Sequence, residues 1–246
     1  MDKTAVIIGA GAGLGFGLAK KFKNEGFKVV LVARNELSLK EMAGQLGDNV
    51  FYKTADASEP ENLKKAIEEI KNEYGTPDAV IYNVGITAPD SDNLTAEMLV
   101  EHFKADVAGA YTIAVTFANE KFAEKKGAII FTGGGLAMYP SEGFIPLSID
   151  KAALRSLTYI LHNKYKEIGI FVGIVEVCGS INASPFFSAD NIAESYWRMY
   201  LNRDKCEYAY ETPELSGQNN DYGKYENNSA SYWGDVYKFI ADDIIN

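Results

Sequence analysis

The sequence predicts an α/β fold of three layers, a mostly parallel, doubly wound sheet between two sets of helices. Short apolar runs rich in valine and isoleucine alternate with longer segments of helical periodicity, as parallel crossover units require. The first run leads into a turn where glycine recurs at alternate positions, and that turn opens a helix. With 246 residues, 47% of them hydrophobic and 24% charged, the chain is long enough to fill the core of one such domain.

The opening unit organises the rest. Val6, Ile7 and Ile8 form a buried strand that stops at Gly9; glycine follows at 11, 13, 15 and 17 before charge begins at Lys20. A chain turning from a buried strand into a helix must bend sharply, approach a ligand closely and let the helix lie on the sheet, and side chains obstruct all three. The helix start then offers unpaired N–H groups and the positive end of a dipole, which favour a pyrophosphate. Met1-Asp2-Lys3 and the apolar stretch after it resemble a secretory signal, but the polar Lys20–Asn24 and a second strand at Lys28–Ala33 argue against one. Gly9, Gly13, Leu14 and Gly15 are therefore expected along a dinucleotide.

Ala33 and Arg34 end the second strand. An acidic residue there binds a ribose hydroxyl, whereas arginine accommodates a 2′-phosphate, so NADP is expected over NAD. A helix over Arg34–Leu46 precedes a third strand, Asn49–Lys53, which ends near Asp56 and Ala57. Leu63, Ala66, Ile67 and Ile70 mark a one-faced helix over Glu59–Tyr74, with Pro60 suited to its first turn. Ala79–Tyr82 is a fourth strand closed by Asn83-Val84-Gly85, and Ala96–Asn119 supplies a long helix. Gly127–Thr132 is a fifth strand running into Gly133, Gly134 and Gly135. A helix from about Leu147 to Glu167, a strand at Phe171–Val177, a helix at Ile192–Tyr200 and a strand at Cys206–Tyr210 complete the domain. Gly9, Asp56, Asn83 and Gly134 then all fall at carboxyl ends of strands, where such sheets bind ligands.

Composition narrows the function. A net charge of -10 and a pI near 4.8 disfavour nucleic-acid partners, and no stretch has the length of a membrane span. Cys178 and Cys206 support neither a disulfide framework nor a metal site, and His102 and His162 lack ligand spacing and read as helix-surface residues. No metal is expected, and the lack of an export signal points to the cytoplasm. Beyond residue 211 the composition shifts, which divides the chain into a dinucleotide-binding domain, 1–211, and an acidic, tyrosine-rich extension, 212–246. Within the extension, Tyr232–Ile245 has the spacing of a helix. Aromatics at this density suit docking onto the same domain or a neighbouring copy, in a homodimer or homotetramer.

The order of these motifs over residues 3–202 resembles the short-chain dehydrogenase/reductase family, whose Rossmann-type fold the prediction matches. Gly9 to Gly15 is similar to its GxxxGxG turn, Asp56-Ala57 to its adenine-contacting acidic segment, Asn83-Val84-Gly85 to its Asn-Ala-Gly, and Lys151-Ala152-Ala153-Leu154 to the segment after its active tyrosine. The resemblance implies hydride transfer between a nicotinamide and a carbonyl or alcohol, with a proton relay of asparagine, serine, tyrosine and lysine. It also implies that Asn83, Gly85, Gly179, Ile181 and Lys151 border the cofactor, Lys151 on the ribose. At three relay positions the sequence departs from the family: Leu147 stands for tyrosine, Gly134 for serine and Asp106 for asparagine. Cys178 likewise stands for a proline. Leucine cannot transfer a proton, so Tyr139, Asp106 and Ser148 are the candidate substitutes. Three readings follow: an NADP-dependent oxidoreductase of a carbonyl or activated C=C bond with a non-standard proton donor; a catalytically silent dinucleotide-binding protein that senses cofactor or scaffolds a partner; and an unliganded structural subunit whose glycine turn serves packing only.

Overall fold

The computed structural model describes residues 3–213 except 88, 91 and 92. The expected terminal helix and the rest of 214–246 lie outside the described residues. Seven strands, β1 (Thr4–Ile8), β2 (Lys28–Ala33), β3 (Val50–Thr54), β4 (Ala79–Tyr82), β5 (Ala128–Gly134), β6 (Phe171–Val177) and β7 (Glu207–Tyr210), form one parallel sheet in the order β3-β2-β1-β4-β5-β6-β7. The helices are α1 (Leu14–Asn24), α2 (Glu36–Leu46), α3 (Pro60–Tyr74), α4 (Ala96–Phe103), α5 (Gly109–Phe117), α6 (Glu120–Glu124), α7 (Ile145–Tyr165) and α8 (Ala189–Asn202).

Strand alternation divides the core between two faces. Ala5, Ile7, Val29, Leu31 and Ile130 pack with Leu18, Phe22, Leu39 and Tyr196 of α1, α2 and α8. Val6, Ile8, Val80, Phe131, Val172 and Ile174 pack with Leu63, Ile113 and Leu154 of α3, α5 and α7. Helices on both faces cover the sheet's two surfaces, as an all-parallel sheet requires.

A chain of hydrogen bonds, buried at Tyr196 and Thr132 and half-buried at Asn83 and Gly9, ties the layers at the carboxyl end. The Tyr196 hydroxyl donates to Thr132 Oγ1 at 2.8 Å, Thr132 donates to Asn83 Oδ1 at 3.0 Å, and Asn83 Nδ2 donates to the Gly9 carbonyl at 3.0 Å.

Several boundaries differ from expectation for local reasons. The second helix begins at Glu36 because Asn35 caps it, its side chain accepting from the Ser38 amide, which leaves Arg34 outside. The helix bearing Lys151 begins at Ile145, whose amide donates to the Asp90 carboxylate at 2.6 Å, and Gly169 at φ +83° closes the turn after it. The expected single helix over Ala96–Asn119 is interrupted: Lys104–Ala108 forms a π-helical turn between α4 and α5, and Asn119 caps the separate α6. That turn carries Asp106 and Val107 into the interior, and the Tyr82 hydroxyl donates to the Ala105 carbonyl. A side chain on Gly109 would start 2.5 Å from the Ala57 carbonyl, so glycine lets the bulge pack.

The opening glycines divide into two kinds. Gly9 sits at φ +80°, and a Cβ there would lie 2.3 Å from the Asn83 carbonyl oxygen; one on Gly15 would lie 2.9 Å from the Gly9 carbonyl, and one on Gly17 2.7 Å from that of Ala189. These three let the backbone fold on itself. Gly11 has no such neighbour within 4 Å. Gly9→Ala should therefore lose about 2 kcal/mol or more in urea unfolding, through left-handed strain and overpacking, while Gly11→Ala should stay within about 0.5 kcal/mol of wild type. Equal losses would contradict this division.

Candidate functional site

Chain order reverses between β1 and β4, and the carboxyl ends of these strands bound the crevice at the switch point. Gly13 precedes α1; no side chain caps that helix and no acidic residue occupies its first turn, so its positive end is bare. Ile181, in the loop after β6, stands opposite, its Cγ2 3.9 Å from where a Gly13 side chain would start. The exposed backbone at Gly11 lies in the same turn. Leu14 has its side chain in the core, so only its main chain can meet a ligand. Gly179 makes room for the Phe187 ring, 2.4 Å from a would-be Cβ. These features fit a dinucleotide diphosphate: bare amides, a positive helix end, and open space where side chains would intrude.

Arg34 is exposed directly after β2, and its charge reaches Asp56 beyond β3. Asp56 accepts from the Ser58 amide at 2.9 Å and the Ser58 hydroxyl at 2.7 Å; burial raises its pKa, but these bonds and Arg34 bring the net shift below the ordinary value. Ala57, beside it, is half-buried against Gly109.

Lys151 is 5% exposed, and its ammonium donates to the carbonyls of Thr132 at 3.0 Å and Val84 at 3.3 Å. A Cβ on Gly85 would lie 3.1 Å from Lys151 Nζ and 3.7 Å from Asp106 Oδ2, so the structure brings Gly85, Lys151 and Asp106 together. Asp106 is fully buried; burial raises its pKa, opposed by the charges of Lys151 and His102 and by the nearby Ile86 amide, which does not meet hydrogen-bond geometry. Leu147 packs with Leu136 and Phe144. Above Gly134 there is room, with Lys151 Cγ 3.7 Å from a would-be Cβ. Tyr139 is half-buried and its amide donates to Gly135, while Ser148 Oγ accepts from the Ser141 amide at 3.1 Å and so anchors the loop. Cys178 is buried against Gly135.

The two histidines are not plain surface residues. His162 Nδ1 lies 2.8 Å from the Val172 carbonyl, and half-buried His102 faces Asp106. Two further acids, neither of them a candidate site residue from the sequence, lie here. Asp150, on α7, and Glu176, on β6, are both buried; burial and the Asp106 charge push Asp150 to about 7 against Lys151, and burial with Glu207 pushes Glu176 to about 8. The signal for Glu176 was legible: it is the one charged residue in Phe171–Val177, a strand buried at every position. Among the described residues, the buried side-chain polar atoms without hydrogen-bond partners are His102 Nδ1, both Asp106 oxygens, Asp150 Oδ2 and both Glu176 oxygens. Buried polar atoms left without a protein partner call for an explanation, a catalytic role or a bound water among them.

A cleft of about 420 Å³ lies at the opposite, amino end of the sheet, between Thr4, Lys28, Tyr74 and Lys125, and none of the motif residues line it. Among the described residues, no group of three or more His, Cys, Asp or Glu is placed to hold a metal ion, and no helix is long and apolar enough to cross a membrane.

The chain is similar to NAD-dependent glycerol dehydrogenase of Listeria innocua, 25% identical over 176 residues, covering 71% of this chain and 69% of that protein. It is 27% identical over 177 residues to 3-oxoacyl-[acyl-carrier-protein] reductase of Chlamydia muridarum, covering 69% of each. The alcohol dehydrogenase of the archaeon Thermococcus sibiricus, solved with 5-hydroxy-NADP, superposes with a TM-score of 0.76 at 20% identity, covering 87% of this chain and 99% of that one. Residues 3–191 match the family model described as short chain dehydrogenase, and with the parallel sheet and the glycine turn at its switch point, this establishes that the chain belongs to the short-chain dehydrogenase family.

Proposed function

We propose that the protein is an NADP-dependent oxidoreductase that reduces a carbonyl or an activated C=C bond using a proton donor other than the family's tyrosine. The bare glycine turn facing Ile181 carries this reading. In it Gly9, Gly13, Leu14 and Gly15 take the diphosphate through their main chain, and Arg34 takes a 2′-phosphate that no carboxylate at the end of β2 would repel. Asp56 and Ala57 border the adenine, and Asn83, Gly85, Gly179 and Ile181 the nicotinamide half. Lys151 holds the ribose with the ammonium hydrogen not given to Val84 or Thr132. Bound nicotinamide supplies hydride; the chain must supply the proton.

Asp106 is the proposed donor. Its carboxyl is fully buried, its pKa is raised by that burial, neither oxygen has a hydrogen-bond partner among the described residues, and it stands beside Gly85, which supports it as the acid of this step. Tyr139, beside the Gly133–Gly135 run, is the alternative donor. The silent, dinucleotide-binding reading draws on one observation: Leu147 fills the tyrosine position as part of an apolar cluster with Leu136 and Phe144. The same overall reading keeps 1–211 as the domain and 212–246 as its extension, places the protein in the cytoplasm and makes it a homodimer or homotetramer. Exposed Val100, Phe103, Tyr111, Ile149 and Ile160 on α4, α5 and α7 support the association.

Fluorescence titration should give tighter binding of NADPH than of NADH, and Arg34→Ala should erase roughly tenfold of that preference; indifference to the substitution removes NADP selectivity, and no binding of either cofactor removes the reading. In a turnover screen over ketones, quinones and enones, Asp106→Asn should cut the rate roughly a hundredfold with Tyr139→Phe near wild type. The reverse ranking assigns the proton to Tyr139, and wild-type silence favours the non-catalytic reading. Light scattering should return two or four times the 27.0 kDa chain mass, and a monomer mass would refute the association.

A further inference from the structure

Glu176 lies one residue before the carboxyl end of β6, the one charged residue on a strand buried at every position. It is paired in register with Gly133 of β5, and a side chain on Gly133 would start 2.1 Å from Glu176 Oε2, so this glycine makes the seat in which the carboxyl rests. The next residue along β5 toward the core, Thr132, gives its carbonyl to Lys151. Acid and ammonium thus stand over adjacent residues of one strand. The carboxyl is fully buried, and neither oxygen has a hydrogen-bond partner among the described residues. Burying an ionised carboxylate without partners is far more costly than burying the neutral acid.

We propose that Glu176 is a proton store for Lys151: a carboxylic acid seated on Gly133, from which the lysine is refilled after a proton has left the neighbouring crevice. The delivery step rests on the oxidoreductase reading above; the storage does not. The groups that face the carboxyl are Lys151 and Arg155 of α7, Glu207 of β7, the Gly134 amide of β5, Tyr196 of α8 and Cys178 beyond β6. Arg155 is committed to Glu207, with contacts of 2.7 and 3.1 Å, and Lys151 to two carbonyls. Burial raises the Glu176 pKa most and Glu207 raises it further, to about 8, against the Gly134 amide, Lys151 and Arg155.

The protons balance. As hydride from a reduced nicotinamide forms a C–H bond on the substrate, the nicotinamide is oxidised and the substrate reduced, and the Asp106 O–H bond breaks while the substrate gains an O–H or C–H bond. Neither carboxyl lies within hydrogen-bond distance of Lys151 Nζ, so bridging water carries each proton: an N–H bond of Lys151 breaks to restore Asp106, the Glu176 O–H bond breaks to restore the ammonium, and the Glu176 carboxylate takes a proton from solvent hydronium, leaving water. Glu176 is thus a positioning residue for charge, acting through Lys151 without touching the substrate.

Its protonation can be read without cofactor. An unfolded glutamate gives up its proton near pH 4.5, while the folded acid keeps it to about 8, so its contribution to stability is complete below 4.5 and is lost as pH rises through that window. In urea unfolding across the window, wild-type stability should fall relative to Glu176→Gln, and a difference that does not change with pH overturns the proposal. Should the variant not fold, carboxyl ¹³C NMR of the wild type decides: one glutamate titrating near 8 supports the store, and none above the ordinary range overturns it. With NADPH, Glu176→Gln should bind within about twofold of wild type and turn over roughly tenfold or more slowly, with the loss growing as pH rises. Unchanged turnover overturns the delivery. If wild type binds no NADPH, the oxidoreductase reading and the delivery fall together, while the titration still reports whether the acid holds its proton.

Discussion

The run of hydrogen bonds from Tyr196 through Thr132 and Asn83 to the Gly9 carbonyl is the constraint from which the rest of the site takes its position. Each bond contributes only about 1 kcal/mol net, but leaving the buried Tyr196 or Thr132 hydroxyl unpaired costs about 1–3 kcal/mol, so these groups hold one arrangement. That arrangement spans α8, β5, β4 and β1, and it fixes the glycine turn against the end of β4. The Gly9 amide in turn donates to the Val32 carbonyl of β2 at 2.9 Å. The crevice floor is therefore set by the sheet's own layers before any ligand arrives.

Most of this architecture was legible in the sequence because each element announces itself locally. Val6–Ile8, Val29–Val32, Ala79–Tyr82 and Phe171–Val177 are apolar runs of strand length, and the observed strands fall on them. Leu63, Ala66, Ile67 and Ile70 form the buried stripe of α3 that their spacing predicted. Boundaries were harder, because a cap such as Asn35 or Asp90 acts through a single side chain, and in the second case from a distant loop. The meeting of Gly85, Lys151 and Asp106 followed from family motifs. Glu176 stands out in the sequence as the one charge in an apolar strand, but its seat does not, since Gly133, 43 positions earlier, has no side chain to suggest a contact.

The site's electrostatics is unusual in its sign. Around the buried ammonium of Lys151 stand three buried carboxyls, Asp106, Asp150 and Glu176. Burial disfavours the ionised form of each, and the charge of Asp106 adds to this at Asp150 and that of Glu207 at Glu176.

The π-turn at Lys104–Ala108 has a further effect on what lies before it. One extra residue in a helical turn advances the angular phase by about 100°, so α4 and α5 do not share a common inward side. Ile113 and Phe117 reach the core, whereas α4 buries none of its residues and displays Met98, Val100 and Phe103 outward. Tucking one acid inward and presenting a greasy ridge to the outside are thus two results of the same slip in winding.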